Sequence, residues 1–197
     1  LYHYSKRIGL YNGTDRHDTE ETFLSYLQIG MLLDELYGED RLRPEHSEHL
    51  IGNGIVSSPI TGVEGYVSIF MAASELLDYR YEPYVSMAHA YWMQGHDGEK
   101  CYEIASKGIR VGSFGDANTI LTFQKSLYDL HLYKCTCGFE SGNFDGTVDA
   151  CRFLVDEMSA TSSIARPGVN SADEPWRTEF AAVARRTLKL LEERGVF

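Results

Sequence analysis

The sequence predicts an all-α fold: a right-handed stack of about four helical hairpins, a solenoid, with a C-terminal capping helix. Three observations predict it. First, Met87 to Val111 (MAHAYWMQGHDGEKCYEIASKGIRV) reads as two amphipathic helices joined by one tight turn. Ala88, Ala90, Tyr91 and Trp92 give the first helix a small and aromatic face. Gly95 is expected to stop it by taking the left-handed conformation that helix ends need. Cys101, Ile104, Ala105, Gly108 and Ile109 recur at helical spacing in the second. Such a unit cannot bury its apolar face alone, so neighbours must stack on it. Second, strand signals are nearly absent. Ile55-Val56 is short and ended by Ser57-Ser58-Pro59, and Asn12-Gly13 reads as a helix stop. Third, turns beginning at 13, 95 and 142, with a bend near 53–62, recur at roughly 40–47 residues, the length of a helical array.

The elements follow in order. Tyr2, Tyr4, Ile8 and Leu10 place a helix at about 1–12. Asp18 or Thr19 caps the next, 19–37, with Glu20 and Glu21 in its first turn. Helices at 44–52 and 63–78 flank the bend, and the central hairpin supplies 83–95 and 99–111. Helix 117–138 leads to the turn Gly142-Asn143-Phe144-Asp145-Gly146 and helix 146–158. The Ser-, Ala- and Pro-rich stretch 159–175 is a loop. Asp173 and Pro175 then open the last helix, 174–194. Phe180, Val183, Ala184, Leu188 and Leu191 face one side of it, and Arg185, Arg186 and Lys189 the other. Residues 1–158 form the helical-repeat domain, and 159–197 the loop and capping helix of that same domain.

Composition narrows the function. The 197 residues are 43% hydrophobic and 24% charged, which is ordinary for a globular chain. Thirteen Tyr, nine Phe and only five Pro suit helix packing. A net charge of −11 argues against nucleic acid and anionic membrane surfaces as partners. A basic patch at Arg177, Arg185, Arg186 and Lys189 suits the dipole of a final helix. No apolar run approaches the ~18 residues of a membrane span. Four cysteines are too few for a disulfide scaffold, so reduced thiols and a cytoplasmic setting are expected. The chain starts at Leu1 and enters helical sequence at once, which reads as a piece of a longer protein.

The hairpin 89–109 resembles a tetratricopeptide repeat in Ala90-Tyr91, Gly95, Glu99, Tyr102 and Ile109, with the second small residue displaced to Ala105 or Gly108. Over about residues 1–158 the chain resembles the tetratricopeptide-like region that follows the catalytic domain in some family 2 glycosyltransferases. The resemblance rests on an ordered set: Leu1-Tyr2-His3-Tyr4-Ser5-Lys6-Arg7, Arg80-Tyr81-Glu82-Pro83-Tyr84, Tyr91 to Gly95 with Ala105 to Ile109, Tyr128-Asp129, and a hairpin from Gly142 to Leu154. It implies a non-catalytic region that holds acceptor protein or mediates assembly. The chemistry would lie elsewhere, since this chain has no Asp-x-Asp motif.

Several constellations carry other readings. His131, Cys135, Cys137 and Cys151 form a metal-like set, but Cys-x-Cys chelates poorly within a helix, and packing between helices is the favoured reading. Asp15, His17, Asp18, Glu20 and Glu21 suit a turn and a helix first turn better than catalysis. His46 and His49 flank Glu48 and read as solvated. Gly52-Asn53-Gly54 lacks the Lys-Ser/Thr of a phosphate loop. An aromatic groove formed by 83–95 and 117–133 is a further expectation, drawing on Tyr84, His89, Tyr91, Trp92, Tyr128, His131 and Tyr133.

The expected function is therefore a non-catalytic protein-recognition or assembly module with no cofactor, no bound metal and no catalytic residue. A protein or peptide partner is expected along Tyr84, Met87, Tyr91, Gln94, Lys125, Tyr128 and His131, which follow i, i+3/i+4, i+7 spacing. The alternatives are a structural subunit that self-associates or packs in a larger assembly, and a small metal-dependent enzyme using Asp15, His17, Asp18 or the cysteines.

Overall fold

The computed structural model describes residues 1–11, 16–112, 121–160 and 175–197. Among these residues the chain is all-helical, with nine helices and no strand. They are α1 (Tyr2–Gly9), α2 (Arg16–Gly38), α3 (Pro44–Gly52), α4 (Val63–Leu76), α5 (Glu82–Met93), α6 (Gly98–Gly112), α7 (Leu121–Ser141), α8 (Phe144–Ala160) and α9 (Pro175–Glu193). The expected turn residues 13–15, the first residues of the helix expected at 117 and most of the loop 159–175 lie outside the described residues.

Local chemistry sets these boundaries. Pro44 opens α3, where its missing N–H costs nothing, and the Arg43 N–H donates to His46 Nδ1 at 3.0 Å. Asp97 Oδ1 accepts the Lys100 N–H at 3.0 Å and caps α6. The α5–α6 turn departs from expectation at one residue. His96, not Gly95, takes the positive φ, at 48°. Gly95 is needed for a different reason: a Cβ there would lie 3.0 Å from the Tyr91 carbonyl oxygen. Gly142, with φ 80°, stops α7, and the Asn143 N–H returns to the Gly138 carbonyl at 2.8 Å.

Each helix from α4 to α9 packs on the next, and α2 packs on both α1 and α4. Three further contacts, α2 with α5, α5 with α7 and α7 with α9, set these four helices side by side. Close approach is secured by glycine. A Cβ on Gly30 would fall 2.5 Å from the Phe70 ring, and one on Gly108 would fall 2.7 Å from Tyr84 Cβ. The main core gathers Phe23, Leu33, Leu50, Tyr66, Phe70, Met87, Ala105 and Leu130. A second cluster of Tyr128, Cys135, Cys151, Leu154, Phe180 and Ala184 joins α7, α8 and α9.

The four cysteines correct the expectation of reduced thiols. Cys101 on α6 is bonded to Cys137 on α7, and Cys135 on α7 to Cys151 on α8, with Cα–Cα distances of 5.9 and 5.2 Å. Residues two apart on a helix are separated by about 200° around its axis. Cys135 and Cys137 therefore reach opposite neighbours, and α7 is stapled on both sides.

Candidate functional site

A groove of about 720 Å³ runs across α2, α5 and α7 and is bordered by Tyr4 of α1. Helical spacing builds it. Val85, Ser86 and His89, all half-buried, share the side of α5 that lines the groove and make the floor. Met31, Asp34 and Glu35 on α2 make one wall, and Lys125, Asp129 and Tyr133, four residues apart on α7, make the other. Met31 is 50% exposed although apolar.

The walls are polarised. Asp34 Oδ1 accepts the Tyr66 hydroxyl at 2.8 Å from below, and its Oδ2 lies 3.3 Å from His89 Nδ1. Burial raises the Tyr66 pKa above its ordinary range, and the bond to Asp34 adds to the rise. Across the groove, Lys125 Nζ donates to both oxygens of Asp129, at 2.9 and 2.8 Å. Burial raises the Asp129 pKa, while Lys125 pulls it back down. The Tyr133 hydroxyl is also raised, chiefly by burial and then by Asp129 and Asp34. His89 and Trp92 both stand edge-on to the Tyr133 ring, with centroids at 6.4 and 5.7 Å.

No protein-family model, curated protein or solved structure matches the chain.

Of the expected binding face, Lys125 lines this groove. Tyr84, Met87, Tyr91 and Tyr128 are buried, which corrects their assignment to an accessible face. The stripe Tyr84–Met87–Tyr91 is the apolar stripe of α5, and the core takes it. Tyr91 donates to Glu64 Oε2 at 2.8 Å, and Tyr128 packs between Phe153 and Trp176. Gln94 is half-buried near Gly38. His131 stacks on Phe153 at 3.8 Å, and burial pushes its pKa down to about 4. His89 and Tyr133, both in the expected aromatic set, do line the groove. Asp34 and Glu35 were missed, because single carboxylates on a helix carry no motif, and Asp129, quoted in the Tyr128-Asp129 pair, was not expected to face a partner. The one available signal was the four-residue step from Lys125 to Asp129.

The other constellations resolve locally. Cys135, Cys137 and Cys151 are in disulfides, so they offer no thiolate to zinc. Among the described residues no group of three or more His, Cys, Asp and Glu is placed to hold a metal ion. Asp15 lies outside the described residues. His17 is exposed beside Glu21 at 3.8 Å, and Arg7 pairs with Glu21 at 3.3 Å. Asp18 lines a shallow pocket of about 320 Å³ between α1 and α2 with His3, Lys6 and Arg7. His49 is not simply solvated: it is half-buried, and its Nε2 lies 2.8 Å from Ser5 Oγ, tying α3 to α1. Among the described residues no helix is long and apolar enough to cross a membrane.

Proposed function

We propose that this chain is a non-catalytic recognition or assembly module, a right-handed stack of helical hairpins whose groove across α2, α5 and α7 holds a segment of a protein partner. One observation carries the reading: three helices set side by side leave an open trough with exposed Met31 and half-buried Val85 and Tyr133 along it. Apolar and aromatic side chains left at the surface of a concave face, rimmed by charge, are what recognition surfaces are made of. The partner is a protein or peptide, and the net charge of −11 disfavours nucleic acid. The test is selection of a displayed peptide library on the immobilised chain. Peptides that lose binding to the Met31→Asp variant support the groove. Selected peptides that all bind this variant as well as the native chain contradict it.

The parent is proposed to be a glycosyltransferase-like protein, with this chain as its accessory helical part. The ordered motifs from Leu1-Tyr2 to the Gly142–Leu154 hairpin are the support. In place of the cytoplasmic setting expected from the cysteine count, we propose an oxidising compartment, where paired thiols persist. Titrating thiols in freshly isolated, denatured protein tests this: no reactive thiol supports it, and four contradict it.

A second reading, a structural subunit that self-associates, is favoured by α1. There Tyr2 and nearby Leu10 are 63% and 74% exposed, beside Lys6 and Arg7. A molar mass that rises with concentration, and falls back in Leu10→Glu, would support it.

A further inference from the structure

We propose that the groove selects a cationic segment: a stretch bearing lysine or arginine whose apolar neighbours cover Met31 and Val85. The inference rests on the groove being the recognition surface and names the chemistry of its occupant.

The charges are one-sided. Three carboxylates, Asp34, Glu35 and Asp129, line the groove against one lysine, Lys125, and one histidine, His89, which lies beside Asp34. Two are held in place and mostly shielded from solvent, the Asp34 side chain being 18% exposed and that of Asp129 16%. Tyr66 anchors Asp34 from the core side, leaving Oδ2 turned towards His89 and the groove. Both carboxylates already take donors, Asp34 from Tyr66 and beside His89, Asp129 from Lys125, and each carboxylate oxygen keeps a further lone pair that a guanidinium or ammonium entering the groove suits.

Lys125 shows that the site takes such a group. Its ammonium already sits on both Asp129 oxygens, yet its side chain is 51% exposed. The lysine end of the pair is exposed, so an incoming cation shares Asp129 with it while the carboxylate stays paired. An acidic segment or a chain-terminal carboxylate would instead meet Asp34, Glu35 and Asp129 with like charge. The chain's overall −11 steers the same class of partner towards it.

The test uses the whole chain and fluorescein-labelled amphipathic helical peptides. They share one leucine–alanine face and carry lysine, arginine or glutamate on the other, and binding is read by anisotropy at low and physiological salt. The lysine and arginine peptides are expected to bind, more weakly at higher salt, and the glutamate peptide to fail. Glu35→Lys should weaken the lysine peptide about fivefold. Glu193→Lys, on the last turn of α9, should leave it unchanged. Equal losses in the two variants would mean general steering and overturn the proposal. If the glutamate peptide binds as well as the lysine peptide and both lose binding in Met31→Asp, the groove stands but cation selection falls. If the lysine peptide binds Met31→Asp and Glu35→Lys undiminished, the groove reading falls as well. No binding by the lysine peptide at either salt overturns the proposal, as does a concentration-dependent dimer whose contact covers Met31.

Discussion

Met87 and His131 both belong to the stripe expected to meet a partner, and both serve the interior instead. Met87 is buried against the main core, so Met87→Ala should cost about 2–5 kcal/mol in denaturant unfolding. A loss under 1 kcal/mol would be that of an exposed residue and contradict the packing. His131 is held neutral: burial lowers its pKa from 6.5 to about 4, and its Nδ1 is buried with no hydrogen-bond partner among the described residues. The sign follows from linkage. Between the two pKa values the unfolded chain binds the proton and the folded chain does not, so acid favours unfolding. Stability from this residue is fully present above pH 6.5 and falls as pH drops towards 4. The loss is about 2 kcal/mol by pH 5. His131→Phe should remove that slope in unfolding curves taken from pH 7 to 5. An unchanged slope would place the acid sensitivity elsewhere. Gly30 gives a third case. Gly30→Ala drives a methyl into the Phe70 ring where α2 meets α4, at about 1–3 kcal/mol.

At the scale of the helix, much was legible and some was not. Apolar periodicity located α5 and α6 within two residues, 83–95 against Glu82–Met93 and 99–111 against Gly98–Gly112. Period alone cannot say which apolar stripe faces in when a helix has neighbours on several sides. On α5 the groove side is Val85, Ser86 and His89, one position round from the expected Tyr84, Met87 and Tyr91. The turn at Gly142 is shorter than the expected Gly142–Gly146. The positive φ of Gly142 lets α7 run on to Ser141, and α8 begins at Phe144 after a two-residue link. Cysteine pairing was not legible, because four cysteines allow three pairings and a reduced state besides. The staples have a measurable consequence. They close loops with sequence separations of 36 and 16, worth about 4 and about 3 kcal/mol by chain entropy. Cys135→Ser with Cys151→Ser should lower unfolding stability by about 3 kcal/mol. Reductant should further destabilise this variant through the remaining bond. A double variant as stable as the native chain would mean that Cys135 and Cys151 are not joined.

On the scale of the molecule, stacking decides what is left for recognition. Helices α4, α6 and α8 pack against α2, α5, α7 and α9, and the row containing α5 keeps an open side. That side carries exposed Met31, a half-buried aromatic and three carboxylates in a chain of net charge −11. The central claim is that this side is where a partner sits. It is tested most directly by photocrosslinking from two positions, in the native source of the chain. A photoreactive residue at Ser86 on the groove floor is compared with one at Glu179, exposed on α9. The account predicts adducts at Ser86 that map to one defined, lysine- or arginine-bearing segment, with none of that segment at Glu179. The same adducts from both positions, or a segment captured at Glu179 alone, would contradict it.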